Sequence, residues 1–147
     1  MKEISTDASV LITDVDINST KVVCEIIREF FPMLRIGKAN VNTEALAFLE
    51  SNTCQIVVAG FSSNAKYSAT GILWKVKQFN PDVIIILMSG YPERDCRKQI
   101  DFKKLGVRHF WQKPFGVKEI KETFDEIFRD DELEEFLALA GTRKEES

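Results

Sequence analysis

Histidine, cysteine and long apolar runs are what this 147-residue chain has little of. Its single histidine, His109, excludes a metal site built from a histidine cluster. Cys24, Cys54 and Cys96 are odd in number and scattered, with no Cys-x-x-Cys pair. They suit reduced thiols in a cytosolic protein better than a disulfide framework or a zinc site. No apolar run approaches the roughly 20 residues that span a bilayer, so no membrane contact is expected. Met1–Asp7 lacks the basic start, apolar centre and small-residue cleavage site of a signal peptide, and a cytoplasmic location is expected. The formal charge of −3 gives no general attraction to nucleic acid.

What is present suits one domain with a real core: 44% hydrophobic and 29% charged residues. Short apolar runs alternate with helical patterns five times. Val10–Thr13 reads as a first strand ending at Asp14-Val15-Asp16. Asn18 or Ser19 can cap a helix whose Val22, Val23, Ile26, Ile27 and Phe30 repeat at helical spacing, with Cys24 packed in it and Pro32 helping to end it. Leu34–Ala39 is a weak strand suited to a sheet edge. Asn42 can cap a short helix burying Ala45, Leu46 and Leu49. Gln55–Phe61 reads as a strand buried on both faces and ending at Gly60, followed by a polar loop around Ser62, Ser63 and Asn64. A third helix carries Ile72, Val76 and Phe79. Val83–Met88 is the most hydrophobic strand and should be central. A fourth helix from about Pro92 to Lys104 should stop at Gly106. Val107–Gln112 makes the fifth strand, and Val117, Ile120, Phe124 and Ile127 line the fifth helix. Such alternation predicts a doubly wound α/β fold, a parallel sheet with helices on both faces and right-handed connections.

In such a sheet the chemistry lies in the crevice beyond the strand ends. The third strand brings only Gly60 there, a residue with no side chain. Around it the other strands bring Asp14, Ser89 and Lys113. The order of elements, Asp14 after the first strand, Met88-Ser89-Gly90-Tyr91 after the fourth and Lys113-Pro114-Phe115 after the fifth resemble response-regulator receiver domains of the CheY-like superfamily. The match runs from about Val10 to Phe128. It implies a flavodoxin-like sheet of order 2-1-3-4-5 over residues 1–129, with a short extension over 130–147.

In that family, acidic residues after the first strand hold Mg²⁺ while an aspartate ending the third strand takes a phosphoryl group. A hydroxyl after the fourth strand and the lysine of a Lys-Pro pair bind the phosphate. A hard dication and an ammonium offset the charge on the transferring group. Carried over position by position, Asp14 matches the first acidic residue, Ser89 the hydroxyl and Lys113 the amine. Val15 stands where the second metal-binding carboxylate belongs, and Gly60 stands where the phosphoacceptor belongs. Asp16 matches a less essential acidic position. The chain therefore resembles a degenerate, or pseudo-, receiver with no catalytic residue, and a vestigial pocket of Asp14, Asp16, Ser89 and Lys113. Asp14 is expected to pair with Lys113, which would act as an internal substitute for the metal. No cofactor is expected, and Mg²⁺ at most weakly on Asp14 and Asp16. Phe110 matches the family's switch aromatic and is expected to be a static packing residue. The resemblance also implies a cis peptide at Lys113-Pro114.

The expected function is signalling by protein–protein interaction in a phosphorelay system, without phosphotransfer or enzyme activity. The partner would be a histidine kinase, an output protein or another regulator. The rival readings are a phosphorylatable single-domain regulator using Asp14 or Asp16, and a small-ligand-binding flavodoxin-like protein. The second would need a glycine loop that cradles phosphate, and no strand end has one. Interface candidates are Arg94, Arg97, Lys98 and Trp111, with Lys103, Lys104 and Arg108 extending the basic run. Trp74 and Trp111 read as packing or interface anchors, and His109 as solvent-facing at a strand end. Asp131–Ala140 reads as a separate short helix with apolar Leu133, Phe136 and Leu137, closed by Gly141 and followed by a disordered Thr142–Ser147. It is expected to dock on the face of the fourth helix, fifth strand and fifth helix, within the chain or in a homodimer.

Overall fold

Buried aliphatic runs cannot leave their backbone groups unpaired, and here they solve the problem together in one parallel sheet. The computed structural model describes residues 8–62 and 69–129. Its strands are β1 (Ser9–Thr13), β2 (Arg35–Ala39), β3 (Ile56–Phe61), β4 (Ile84–Ser89) and β5 (Val107–Gln112). The sheet order is β2-β1-β3-β4-β5, all parallel. β1, β3 and β4 are buried along their whole length, and β2, with exposed Arg35 and Lys38, lies at the edge.

Alternate residues of each strand feed two cores. Val10, Ile12, Ile56, Val58, Ile86 and Met88 pack with Val23 and Ile27 of α1 (Ile17–Phe30) and with Ile120, Phe124 and Ile127 of α6 (Val117–Arg129). Leu11, Val57, Ala59, Ile85 and Leu87 pack on the other face. There they meet α2 (Asn42–Ser51), α3 (Ala69–Phe79), α4 (Glu93–Gln99) and α5 (Phe102–Leu105). Phe124 stands at the centre of the first core, its ring 5.5 Å from that of Phe31 and 6.4 Å from that of Trp111.

Several local expectations change. Asp16, not Asn18 or Ser19, caps α1, its carboxylate accepting from the Asn18 N–H. Asn42 is the first residue of α2, and Val41 precedes it with no side-chain cap. Phe79 and Val22 lie on exposed flanks of their helices. The expected fourth helix is two helices. Ile100 is extended, and Asp101 caps α5 by accepting from the Lys104 N–H at 3.0 Å. A continuous helix would carry the Cys96–Ile100 stripe on to Lys103 and Lys104; the break buries Phe102 and Leu105 instead. Gly106 ends α5 with φ +80°, a left-handed conformation that suits glycine.

In β5 a register shift against Ile85 and Ile86 adds one residue, so that Val107 and Phe110 share the second core while Trp111 faces the first. Trp111 is only 3% exposed and donates from Nε1 to Thr123 Oγ1 at 2.8 Å, which removes it from the interface candidates. His109 is half-buried and pairs opposite Ile86 within the strand rather than facing solvent at its end. The extension with Leu133, Phe136 and Leu137 lies outside the described residues, as does most of the loop after Ser62. None of the described helices is long and apolar enough to cross a membrane.

Two outcomes follow from this packing. Phe124→Ala should cost about 3–5 kcal/mol, read as a lower urea midpoint at unchanged slope. All three cysteines are buried, and burial pushes the Cys54 thiol up to about 12. A thiol reagent near neutral pH should therefore modify none of them in the native protein and all three in urea.

Candidate functional site

The crevice at the C-terminal ends of the strands is set by register. Val10 and Ile12 lie opposite Ile56 and Val58, so the same alternation carries Asp14 and Gly60 to adjacent positions on one face. Gly60 in turn lies opposite Met88, and Met88 opposite Trp111, two residues before Lys113. Three separate strands thus deliver Asp14, Gly60 and Lys113 to one cleft of about 410 Å³, bounded also by Val15, Asp16 and Tyr91.

Asp14 is 4% exposed and both of its oxygens are engaged. Oδ1 accepts from the Asp16 N–H at 3.0 Å, and Oδ2 accepts from Lys113 Nζ at 2.8 Å. The carboxylate lies over Gly60 so closely that a Cβ on that residue would collide with its Cγ and Oδ2. Asp14 therefore fills the volume into which any side chain at position 60 would emerge. Its backbone is held as well. Asp14 N–H donates to the Ala39 carbonyl, and Asn40 Nδ2 donates to the Asp14 carbonyl at 2.8 Å and to Thr20 Oγ1 at 3.0 Å. The sequence reading missed Asn40 and Thr20. Their only signal was a polar residue at the end of an edge strand and a threonine within an apolar helical stripe.

Ser89 is buried, and its hydroxyl is committed. It donates to the Phe61 carbonyl at 2.8 Å and accepts from the Tyr91 N–H at 3.1 Å. The next strand is tied in by the Lys113 N–H, which donates to the Ser89 carbonyl at 2.7 Å. Lys113-Pro114 is cis. Phe110 is half-buried, with its ring stacked at 6.2 Å on that of Phe102, on the sheet face opposite Asp14 and Lys113.

The residues present do not suit a Mg²⁺ ion. Val15, beside Asp14 and Asp16, presents an aliphatic side chain that is 52% exposed. Asp16 turns away to cap α1, accepting from the Asn18 N–H and, at 3.1 Å, from Ser19 Oγ. Its slight desolvation is outweighed by the Ser19 and Asn18 hydrogen bonds and by Lys113, which together hold it below the usual carboxylate range. Asp14 already faces an ammonium. Among the described residues no group of three or more His, Cys, Asp or Glu could hold a metal. Gly60 offers no nucleophile, and its strand neighbours Ala59 and Phe61 offer none either.

A parallel sheet of this order, with a carboxylate, a hydroxyl and a cis Lys-Pro at three strand ends, has the receiver-domain form of the flavodoxin-like fold. Comparison with solved structures agrees. The chain is similar to a CheY-like response regulator receiver domain protein from Methanospirillum hungatei, with TM-score 0.70 and 20% identity over 86% of this chain and 98% of that one. It is also similar to the chemotaxis response regulator CheY4 of Vibrio cholerae, with TM-score 0.68 and 16% identity over 82% and 98% of the two chains. NtrX from Brucella abortus matches with TM-score 0.73 and 16% identity over 89% of this chain but only 30% of its own length. No protein-family model and no curated protein sequence matches the chain.

The overlap of Asp14 with the space above Gly60 makes the two positions energetically coupled. Gly60→Ala should destabilise the protein by displacing Asp14 from Lys113. The same substitution in an Asp14→Ala background should cost about 0.5–3 kcal/mol less, the coupling expected of residues in contact. Urea unfolding of the four proteins measures it.

Proposed function

We propose that this protein is a receiver-like signalling module that no longer accepts a phosphoryl group and acts through contacts with other proteins. One observation carries the reading: the Asp14 carboxylate, bound to Lys113, occupies the space above Gly60 where an acceptor would stand. In-line attack on a phosphoryl donor needs a nucleophile and cations aimed at the departing charge. Gly60 removes the first. The second is spent internally, because the Lys113 ammonium that would meet phosphate oxygens meets Asp14 instead.

The hydroxyl of Ser89, bonded to Phe61 and Tyr91, is likewise satisfied without a ligand. In a phosphorylated receiver such a hydroxyl would have to leave its partners, and the aromatic on the fifth strand would follow. Here Phe110, stacked on Phe102, is a packing residue with no such signal to obey. The module works in one internally neutralised state, its pocket needing neither cofactor nor metal. Its partners are signalling proteins: a histidine kinase, an output protein or another regulator. Interaction in place of catalysis is its proposed role, in a cytoplasmic setting.

Intact mass after incubation with Mg²⁺ and acetyl phosphate tests the reading. The natural protein should gain no phosphoryl group. A Val15→Asp/Gly60→Asp variant, which restores the second carboxylate and the nucleophile, should gain one acid-labile group. Acid-labile phosphorylation of the natural protein would return the phosphorylatable regulator, with another carboxylate as acceptor.

A further inference from the structure

The sheet face that carries α3, α4 and α5 is unevenly charged. Arg94, Lys98 and Lys103 are exposed and have no carboxylate within salt-bridge distance among the described residues. Between α4 and α5 lies a notch of about 380 Å³, rimmed by Arg97, Lys98 and Lys103 and floored by Ile100 and Phe102. Its one carboxylate, Asp101, is engaged with the Lys104 N–H. Arg97 pairs with Glu93 and lies over the Phe102 ring. Beside the notch Trp74, 42% exposed, lies beneath the Lys104 ammonium at 5.6 Å. A surface with cations that have no carboxylate partner among the described residues, and with exposed aromatic area beside them, suits a segment that is both acidic and apolar.

The chain contains one such segment. Residues 130–137 read Asp-Asp-Glu-Leu-Glu-Glu-Phe-Leu, five carboxylates and three large apolar side chains in eight positions. Residues 1–129 carry 18 basic and 16 acidic side chains, whereas 130–147 carry two basic and seven acidic. The chain's charge is thus divided, with the excess acid gathered just beyond Arg129.

Topology gives that segment access. α6 runs opposite to β5, so Arg129 lies at the same end of the sheet as Val107, the residue that follows Gly106 and α5. The Phe128 ring packs at 5.4 Å on Phe31, which fixes this end of α6 at the N-terminal end of the strands, beside the end of α1. β5, the edge strand, is packed on one face by α6, through Trp111 with Thr123 and Phe124, and on the other by α5, through Phe110 with Phe102. Eight extended residues reach at most about 28 Å, enough to round one strand edge. Direct linkage also supplies an effective concentration in the millimolar range, so individually weak exposed ion pairs suffice within the chain where they would not between chains.

We propose that residues 130–137 bind their own chain across the notch between α4 and α5, with carboxylates on Lys98, Lys103 and Lys104 and apolar side chains toward Trp74 and the notch floor. The face is thereby a site for acidic, apolar peptide, filled in the resting protein by its own extension. This contact does not depend on how the crevice at Asp14 is used.

Zero-length carbodiimide cross-linking of the full-length protein at low concentration, read by peptide mass spectrometry, tests it. Links from Asp130–Glu135 to Lys98, Lys103 or Lys104 should appear in species of monomer mass. They should be lost in about 1 M salt, where the Debye length is about 3 Å. Asp131→Lys/Glu134→Lys/Glu135→Lys should also lose them, and adding Lys98→Glu/Lys103→Glu should restore linkage with the polarity reversed. Absence of these links, their presence only at dimer mass, or failure of the charge swap would overturn the proposal.

Discussion

Everything at the C-terminal end of this sheet depends on one ion pair. Asp14 and Lys113 stand 99 residues apart in sequence, and their 2.8 Å contact ties the first strand to the turn after the fifth across the strands between them. Carboxylate and ammonium each face a desolvation cost at such a site, and each is the other's compensation. The pair closes only because Gly60 contributes no side chain to the intervening strand. In this fold a residue that is absent shapes the site as strongly as those present.

The pair also fixes what its neighbours do. The Ser89 hydroxyl bridges the ends of two strands through Phe61 and Tyr91. Asp16 caps α1. Asn40 and Thr20 hold the Asp14 backbone from the other side. The hydrogen bonds of the crevice are closed among its own residues.

That closure shifts attention from the crevice to the surface. The sequence beyond Arg129 carries the chain's excess of acid, while the exposed cations of α4 and α5 stand on one face of the sheet, and opposite charges on one chain attract.

Much of the fold was legible in the sequence. Runs such as Val83–Met88 admit few fates except a buried parallel strand, and Pro32, Asn80-Pro81 and Gly106 punctuate the helices for local steric reasons. The identity of Gly60, Val15 and Lys113 at strand ends was also plain, because strand ends are local features. Tertiary structure decided the rest. The helix expected from Pro92 to Lys104 breaks at Ile100 because only the core's demand for Phe102 and Leu105 outweighs helical continuity. Trp111 faces the first core and not the second because one extra residue in β5 changes the face, a choice made by pairing with β4 and invisible to periodicity. That Asp14 would lie over Gly60, and not merely near Lys113, depended on the register of neighbouring strands, which no residue in isolation encodes.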